Sequence, residues 1–140
     1  MLTLKGANCY ICGKITGRNS DEVREQFADA YDLIKRSGAN YAFNPDVEIA
    51  HDVTHELAMR LCLRQLARSK TMRNGQAEPY YDYLIALPGW SYSDGAKFEV
   101  EAARMFGIKV IPLKDIEGKC MQKNTLNTFE TQNASTTMRC

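Results

Sequence analysis

The chain has 140 residues, enough for one domain with one buried core. Its 18 basic and 17 acidic residues leave a formal charge of +1, so no bulk field draws it to a nucleic-acid polymer or a membrane surface. No apolar run approaches membrane-spanning length, and the opening MLTLKGANCYICG lacks a signal-type apolar region, so a soluble, cytoplasmic protein with no membrane partner is expected.

The stretch ANCYIC reads as a short apolar strand. Cys9 and Cys12 form a CxxC, but residues three apart on a strand face opposite sides, and no second CxxC completes a zinc set. The five cysteines, at 9, 12, 62, 120 and 140, follow no disulfide framework, and the CxxC pair is expected to be buried structural thiols. After the loop GKITGRNS, Val23, Phe27, Ala30, Tyr31 and Ile34 recur at helical spacing, predicting a helix over Asp21 to Lys35 with Ser20 as N-cap and Gly38 as the stop. NYAFNP is a second strand ending at Asn44-Pro45.

Leu57, Leu61, Leu63 and Leu66 predict a helix from Thr54 to Arg68. Just before and within it, HDVTHE sets His51 and His55 at i, i+4 with Asp52 and Glu56 alongside, a spacing that can bind zinc on one helix face. The order is not HExxH and no third ligand is evident, so a polar helix N-terminus is expected, with no metal and no cofactor. The loop SKTMRNGQAEP leads to YYDYLIALP, a buried strand. A helix over Gly95–Phe106 ends at Gly107, and IKVIPL is the last strand. Strand and helix in alternation predict an α/β fold: a single-domain flavodoxin-like or Rossmann-like parallel sheet with helices on both faces, over residues 1–113. From Lys114 to Cys140 the chain is polar and rich in Thr and Asn, read as a tail that is flexible or docked on the domain or a neighbouring subunit.

In such a sheet, ligands bind beyond the carboxyl ends of the strands. The loops Gly13–Asn19 and Pro88–Asp94 both project from that edge. If their strands are neighbours, Gly13, Lys14, Gly17, Ser93, Gly95 and Glu99 converge. Glycine allows close approach to the backbone, and the helix start near Gly95 suits an anion or phosphate. The same dipole favours an ionised Glu99, and an ionised carboxylate beside a closed pocket is what a covalent nucleophile requires. The competing reading of Glu99 is an ordinary solvated helix residue.

Two motifs in order, YICGKITG and SxGxxxE after a buried strand, resemble the nucleoside 2-deoxyribosyltransferase family. The first is similar to the Tyr-x-Cys-Gly-x-Ile-x-Gly strand of the deoxynucleoside 5'-monophosphate glycosidases, here Tyr10, Cys12, Gly13, Ile15 and Gly17. The fuller string, with FNP and LPGW, resembles an uncharacterised phage and bacterial branch of that superfamily, over roughly Cys9 to Leu113. The resemblance implies that Glu99 attacks C1' of a sugar as the base leaves, after which water or a second base takes the sugar. It implies that Tyr10 positions the carboxylate or contacts the sugar, and that Ser93 and the backbone at Gly95 hold a 5'-phosphate, with charge added by Lys14 or Arg18. One departure is Cys62, which stands where the family carries an Asp; Asp82 and Glu78 are the carboxylates considered as replacements. The cytokinin-activating phosphoribohydrolases are partly similar at Pro88-Gly89 and Gly95 to Glu99, with Ala96 in place of their Thr. The expected function is cleavage or exchange of the N-glycosidic bond of a nucleoside or nucleoside monophosphate. The alternative is a catalytically inactive protein that sequesters or senses a nucleotide. The family's small size, and more apolar positions in the Thr54–Arg68 helix than one narrow stripe, predict a homo-oligomer, a dimer or tetramer.

Overall fold

The computed structural model describes residues 3–70 and 74–116, so Cys120, Cys140 and the tail from residue 117 onward lie outside the described residues. Among the described residues the chain runs through β1 (Asn8–Cys12), α1 (Ser20–Arg36), β2 (Tyr41–Phe43), α2 (Pro45–Glu48), α3 (His55–Leu66), β3 (Tyr83–Ala86), α4 (Asp94–Met105) and β4 (Lys109–Pro112). The strands form one sheet in the order β2-β1-β3-β4, every pairing parallel. Among the described residues this matches the first four strands of the flavodoxin-like order, and its switch point lies between β1 and β3.

The alternation of β1 divides the core in two. Cys9 and Ile11 face α1, where Val23, Phe27, Ala30 and Ile34 cover them. Tyr10 and Cys12 face the other way, toward Cys62 and Leu66 of α3 and Ala96, Val100 and Ala103 of α4. The sheet is thus covered on both faces, and the two cysteines of the CxxC lie in different cores, unbonded and buried.

Helix starts follow the capping residues, with one correction. The N-cap of α1 is Asn19, not Ser20: the Asn19 carbonyl oxygen accepts from the amides of Asp21 and Glu22 at 2.9 and 3.1 Å, and Ser20 is already helical. Gly38 adopts φ +98°, the left-handed conformation that ends a helix without strain in glycine. Sequence periodicity misses α2. Asn44 and Pro45, read as the end of a strand, also start a helical turn: the Asn44 side chain accepts from Asp46 N at 3.0 Å, and proline fits the first helical position. Thr54 caps α3 through Leu57 N at 3.1 Å. Among the described residues no helix is long and apolar enough to cross a membrane.

Candidate active site

The strands β1 and β3 end side by side, tied by Leu87 N donating to Cys12 O at 2.8 Å. Beyond β3 the chain turns at Gly89 (φ +88°) and passes through a short 3-10 turn, Trp90–Tyr92. Ser93 then caps α4, its hydroxyl accepting from Ala96 N at 3.1 Å. This brings α4 back across the carboxyl edge, with Glu99 on its inner side.

Glu99 is only 8% exposed. Burial pushes its carboxyl up to about 7, and the adjoining Cys12 thiol and Tyr10 hydroxyl pull it partway back. The helix dipole was expected to favour an ionised Glu99; burial acts against that and is the larger effect. Glu99 sits past the first turn of α4, where the dipole has faded, and desolvation dominates. Tyr10 is fully buried; its ring stacks on Phe43 at 5.0 Å and meets Tyr81 edge-on at 5.6 Å. Its hydroxyl completes no hydrogen bond, although Glu99 and Cys62 lie close enough to raise its pKa together with burial. The Cys12 thiol, 3.6 Å from Ala96 O, is held well above its usual range by burial and by Glu99. Burial, then Glu99, pushes Cys62 up to about 11. Both thiols are neutral at pH 7. Tyr10, Cys12, Cys62 and Glu99 thus form one buried cluster built by β1, α3 and α4.

The other predicted site residues are placed as follows. A Cβ at Gly13 would come within 3.1 Å of Phe27 and 3.2 Å of Leu87, so glycine there serves packing. A Cβ at Gly95 would meet Met59 Sδ at 3.0 Å, which lets α3 and α4 approach. Gly17, at φ +81°, turns the loop after β1. Lys14 is half-buried and its carbonyl accepts from Arg18 Nη1 at 2.9 Å. Arg18 also donates to Gln26, which reaches Pro88 O at 3.4 Å and so links the loops after β1 and β3. The Ser93 hydroxyl already accepts the cap bond.

Next to the buried cluster lies a cleft of about 370 Å³, between the loop after β1, the α2 region and the start of α3. Ile15, Thr16 and Arg18 line one side; His55, Ala58 and Cys62 line another, and Asp46 and His51 the third. Cys62 is where cleft and cluster meet. Of the residues assigned to nucleotide binding from the sequence, Ile15 and Arg18 line this cleft, and Tyr10 and Glu99 stand behind Cys62.

His51 lies in the turn before α3 and His55 is its first residue, so they do not share one helix face as zinc ligands would. His51 Nε2 is 2.7 Å from Asp46 O, and His55 Nδ1 is 3.4 Å from Thr16 Oγ1. Among the described residues no three His, Cys, Asp or Glu side chains gather as metal ligands. Asp82 does not replace the missing carboxylate: it lies before β3, at the opposite edge of the sheet, accepting from Asn8 N at 2.9 Å. Glu78 is exposed in the loop before it. Sequence reasoning did not assign Cys12 or His55 to the site. For Cys12 the signal was present, because Tyr10 and Cys12 are two apart on one strand and share a face.

The fold and this edge define a class: a parallel α/β domain whose buried acid–phenol–thiol cluster, at the switch point of its sheet, adjoins a cleft between the loop after β1, the α2 region and the start of α3. More particularly, the chain belongs to the family described as Domain of unknown function (DUF4406), which matches residues 7–112. No curated protein and no solved structure matches the chain.

Proposed function

We infer that the protein cleaves or exchanges the N-glycosidic bond of a nucleoside or a (deoxy)nucleoside 5'-monophosphate, with Glu99 as the nucleophile. The observation that carries this reading is the Glu99 carboxyl itself, buried at the carboxyl edge beside a phenol that has no hydrogen-bond partner. A carboxyl buried at the carboxyl edge of the sheet, its pKa raised by desolvation, is a functional-site signal. At neutral pH a large fraction is ionised and poorly solvated, which suits attack on an anomeric carbon. The Tyr10 hydroxyl is then free to donate to the carboxylate or to the sugar oxygens once a ligand is seated. Lys14, Ser93 and the α4 N-terminus at Gly95 supply the 5'-phosphate contacts, the backbone amides carrying the role because the Ser93 hydroxyl is engaged.

The second reading, a nucleotide-binding protein without turnover, is favoured by Cys62, a neutral thiol where relatives of the resembling family carry a carboxylate. Chromatography of nucleotides after incubation with the protein separates the two: free base marks the enzyme, and binding without base marks the sequestering protein. A second copy of the chain completes the arrangement. Phe98 and Met105 are 54% and 85% exposed on the outer side of α4, and Leu57 of α3 is 43% exposed, an apolar surface suited to a two-fold contact.

A further inference from the structure

The cleft beside Cys62 has a far end that the glycosidase reading leaves without a task. His55, Ala58 and Cys62 stand three and four residues apart on α3 and all line the cleft, so they form one stripe on one helix face. The seven-residue step from His55 to Cys62 covers roughly 10 Å of helix. At one end the Cys62 thiol adjoins the Glu99 carboxyl; at the other stands an imidazole. A nucleotide seated with its sugar at the Cys62 end, against the carboxyl behind that thiol, lays its base along Ala58 and brings the outer edge of the ring toward His55. The walls suit a flat ring: Ile15, Ile49 and Val53 are apolar, and alanine at 58 leaves width.

The two histidines of the cleft are held differently. His51 Nε2 is occupied by Asp46, through the backbone oxygen at 2.7 Å and the carboxylate at 3.5 Å, and that side chain is 66% exposed. His55 is anchored through Nδ1, 3.4 Å from the Thr16 hydroxyl oxygen, and among the described residues no group engages its Nε2. The Thr16 oxygen can accept from Nδ1–H throughout a cycle in which Nε2 gains and loses a proton.

We propose that the cleft from Cys62 to His55 seats the leaving base and that His55 is the acid that protonates it, in place of the carboxylate that Cys62 displaces. This rests on the glycosidase reading. In the first step a Glu99 oxygen bonds to C1' as the C1'–N bond breaks. The electron pair of that bond stays with the base, and the Nε2 proton of the His55 imidazolium passes to a ring nitrogen. In the second step a water oxygen bonds to C1' and the Glu99–C1' bond breaks, its electron pair returning to the carboxylate. The water proton leaves to bulk solvent through the open end of the cleft, and the exposed His55 imidazole takes its proton back from solvent. The cycle closes with no other reactant.

The test compares the parent chain, His55→Ala and Glu99→Gln on two kinds of substrate. One is the common nucleoside 5'-monophosphates; the other is 4-nitrophenyl 2-deoxyribofuranoside 5-phosphate, whose leaving group departs as a stable anion and needs no acid. His55→Ala is expected to lower kcat for base release by roughly 100-fold or more, to leave nitrophenol release nearly unchanged, and to regain base release when imidazole is added. Glu99→Gln should lose both reactions. Equal loss on both substrates without imidazole rescue, or no loss on either, overturns the role of His55 while the glycosidase reading stands. A parent chain that releases neither base nor nitrophenol contradicts the glycosidase reading itself. His55 is exposed at the first position of α3, so an unchanged melting temperature is expected for His55→Ala and shows that the fold is kept.

Discussion

Among single residues, Glu99 sets stability against chemistry, and Tyr10 serves both. Glu99 titrates near 7 in the folded chain against 4.5 for a free carboxyl. The folded state thus holds the proton more tightly, so this group's contribution to stability is full below pH 4.5 and is lost as pH rises through 7. The loss amounts to on the order of 3 kcal/mol. Glu99→Gln should therefore melt higher than the parent at pH 8 and differ little at pH 4, as measured by thermal denaturation at the two pH values. Because Glu99 must be ionised and the His55 acid protonated, kcat/KM of the parent should rise with pH toward about 7 on its acid limb and fall again on its basic limb; a flat profile from pH 5 to 9 would remove Glu99 as the attacking group. Tyr10→Phe removes a hydroxyl that helps hold the Glu99 charge, so calorimetry should find it less stable than the parent at pH 8 and little different at pH 4, while base release falls. A loss of stability with unchanged turnover would make Tyr10 structural only. In the sequence, the Glu99 position was legible from the glycine-led turn before it, but its protonation was not, since desolvation depends on α3 and β1 closing over it. Cys62 was read as a missing carboxylate; that it also forms the wall between cluster and cleft emerges only when α3 packs on β1.

At the level of elements, caps and glycines carry the local folding signal. Asn19→Ala and Ser93→Ala each remove an N-cap and should cost about 1 kcal/mol, measurable by urea denaturation. Gly13→Ala drives a methyl group toward the buried Phe27 and Leu87 and should cost about 1–3 kcal/mol. Gly95→Ala should be milder, because the opposing atom is the flexible Met59 thioether. If Gly13→Ala is silent and Gly95→Ala is the severe one, the packing account of these glycines fails. The four strands and the three long helices were legible from periodicity alone, because apolar positions at spacings of two and of three to four residues dominate those segments. The short α2 was not: four residues are too few for a period, and Asn44-Pro45 signals a strand end and a helix start equally. The glycines were recognised as special, but the close packing at Gly13 and Gly95 was not, since ligand approach and tight packing leave the same mark in a sequence.

Across the whole molecule, the strand order β2-β1-β3-β4 places the switch point of the described sheet at β1 and β3, where Tyr10, Cys12 and Glu99 meet. The alternation of strand and helix implied a parallel sheet, but the order of strands is set by long-range pairing that no local pattern encodes. The exposed Phe98, Met105 and Leu57 lead us to expect a homodimer or tetramer, so light scattering at micromolar concentration should give a mass at least twice the 15.8 kDa of the chain. A monomer that keeps its activity on dilution would show that one copy suffices. The central claim, however, concerns a bond. The most direct measurement is chromatographic detection of free base after the purified chain and its Glu99→Gln variant are each incubated at pH 8 with a panel of common nucleosides and their 5'-monophosphates. The account predicts base release by the parent from at least one member of the panel, faster from the monophosphate than from its nucleoside, and a drop of several orders of magnitude in the variant. Base release that is undiminished in Glu99→Gln, or no release by the parent from any member, would contradict it.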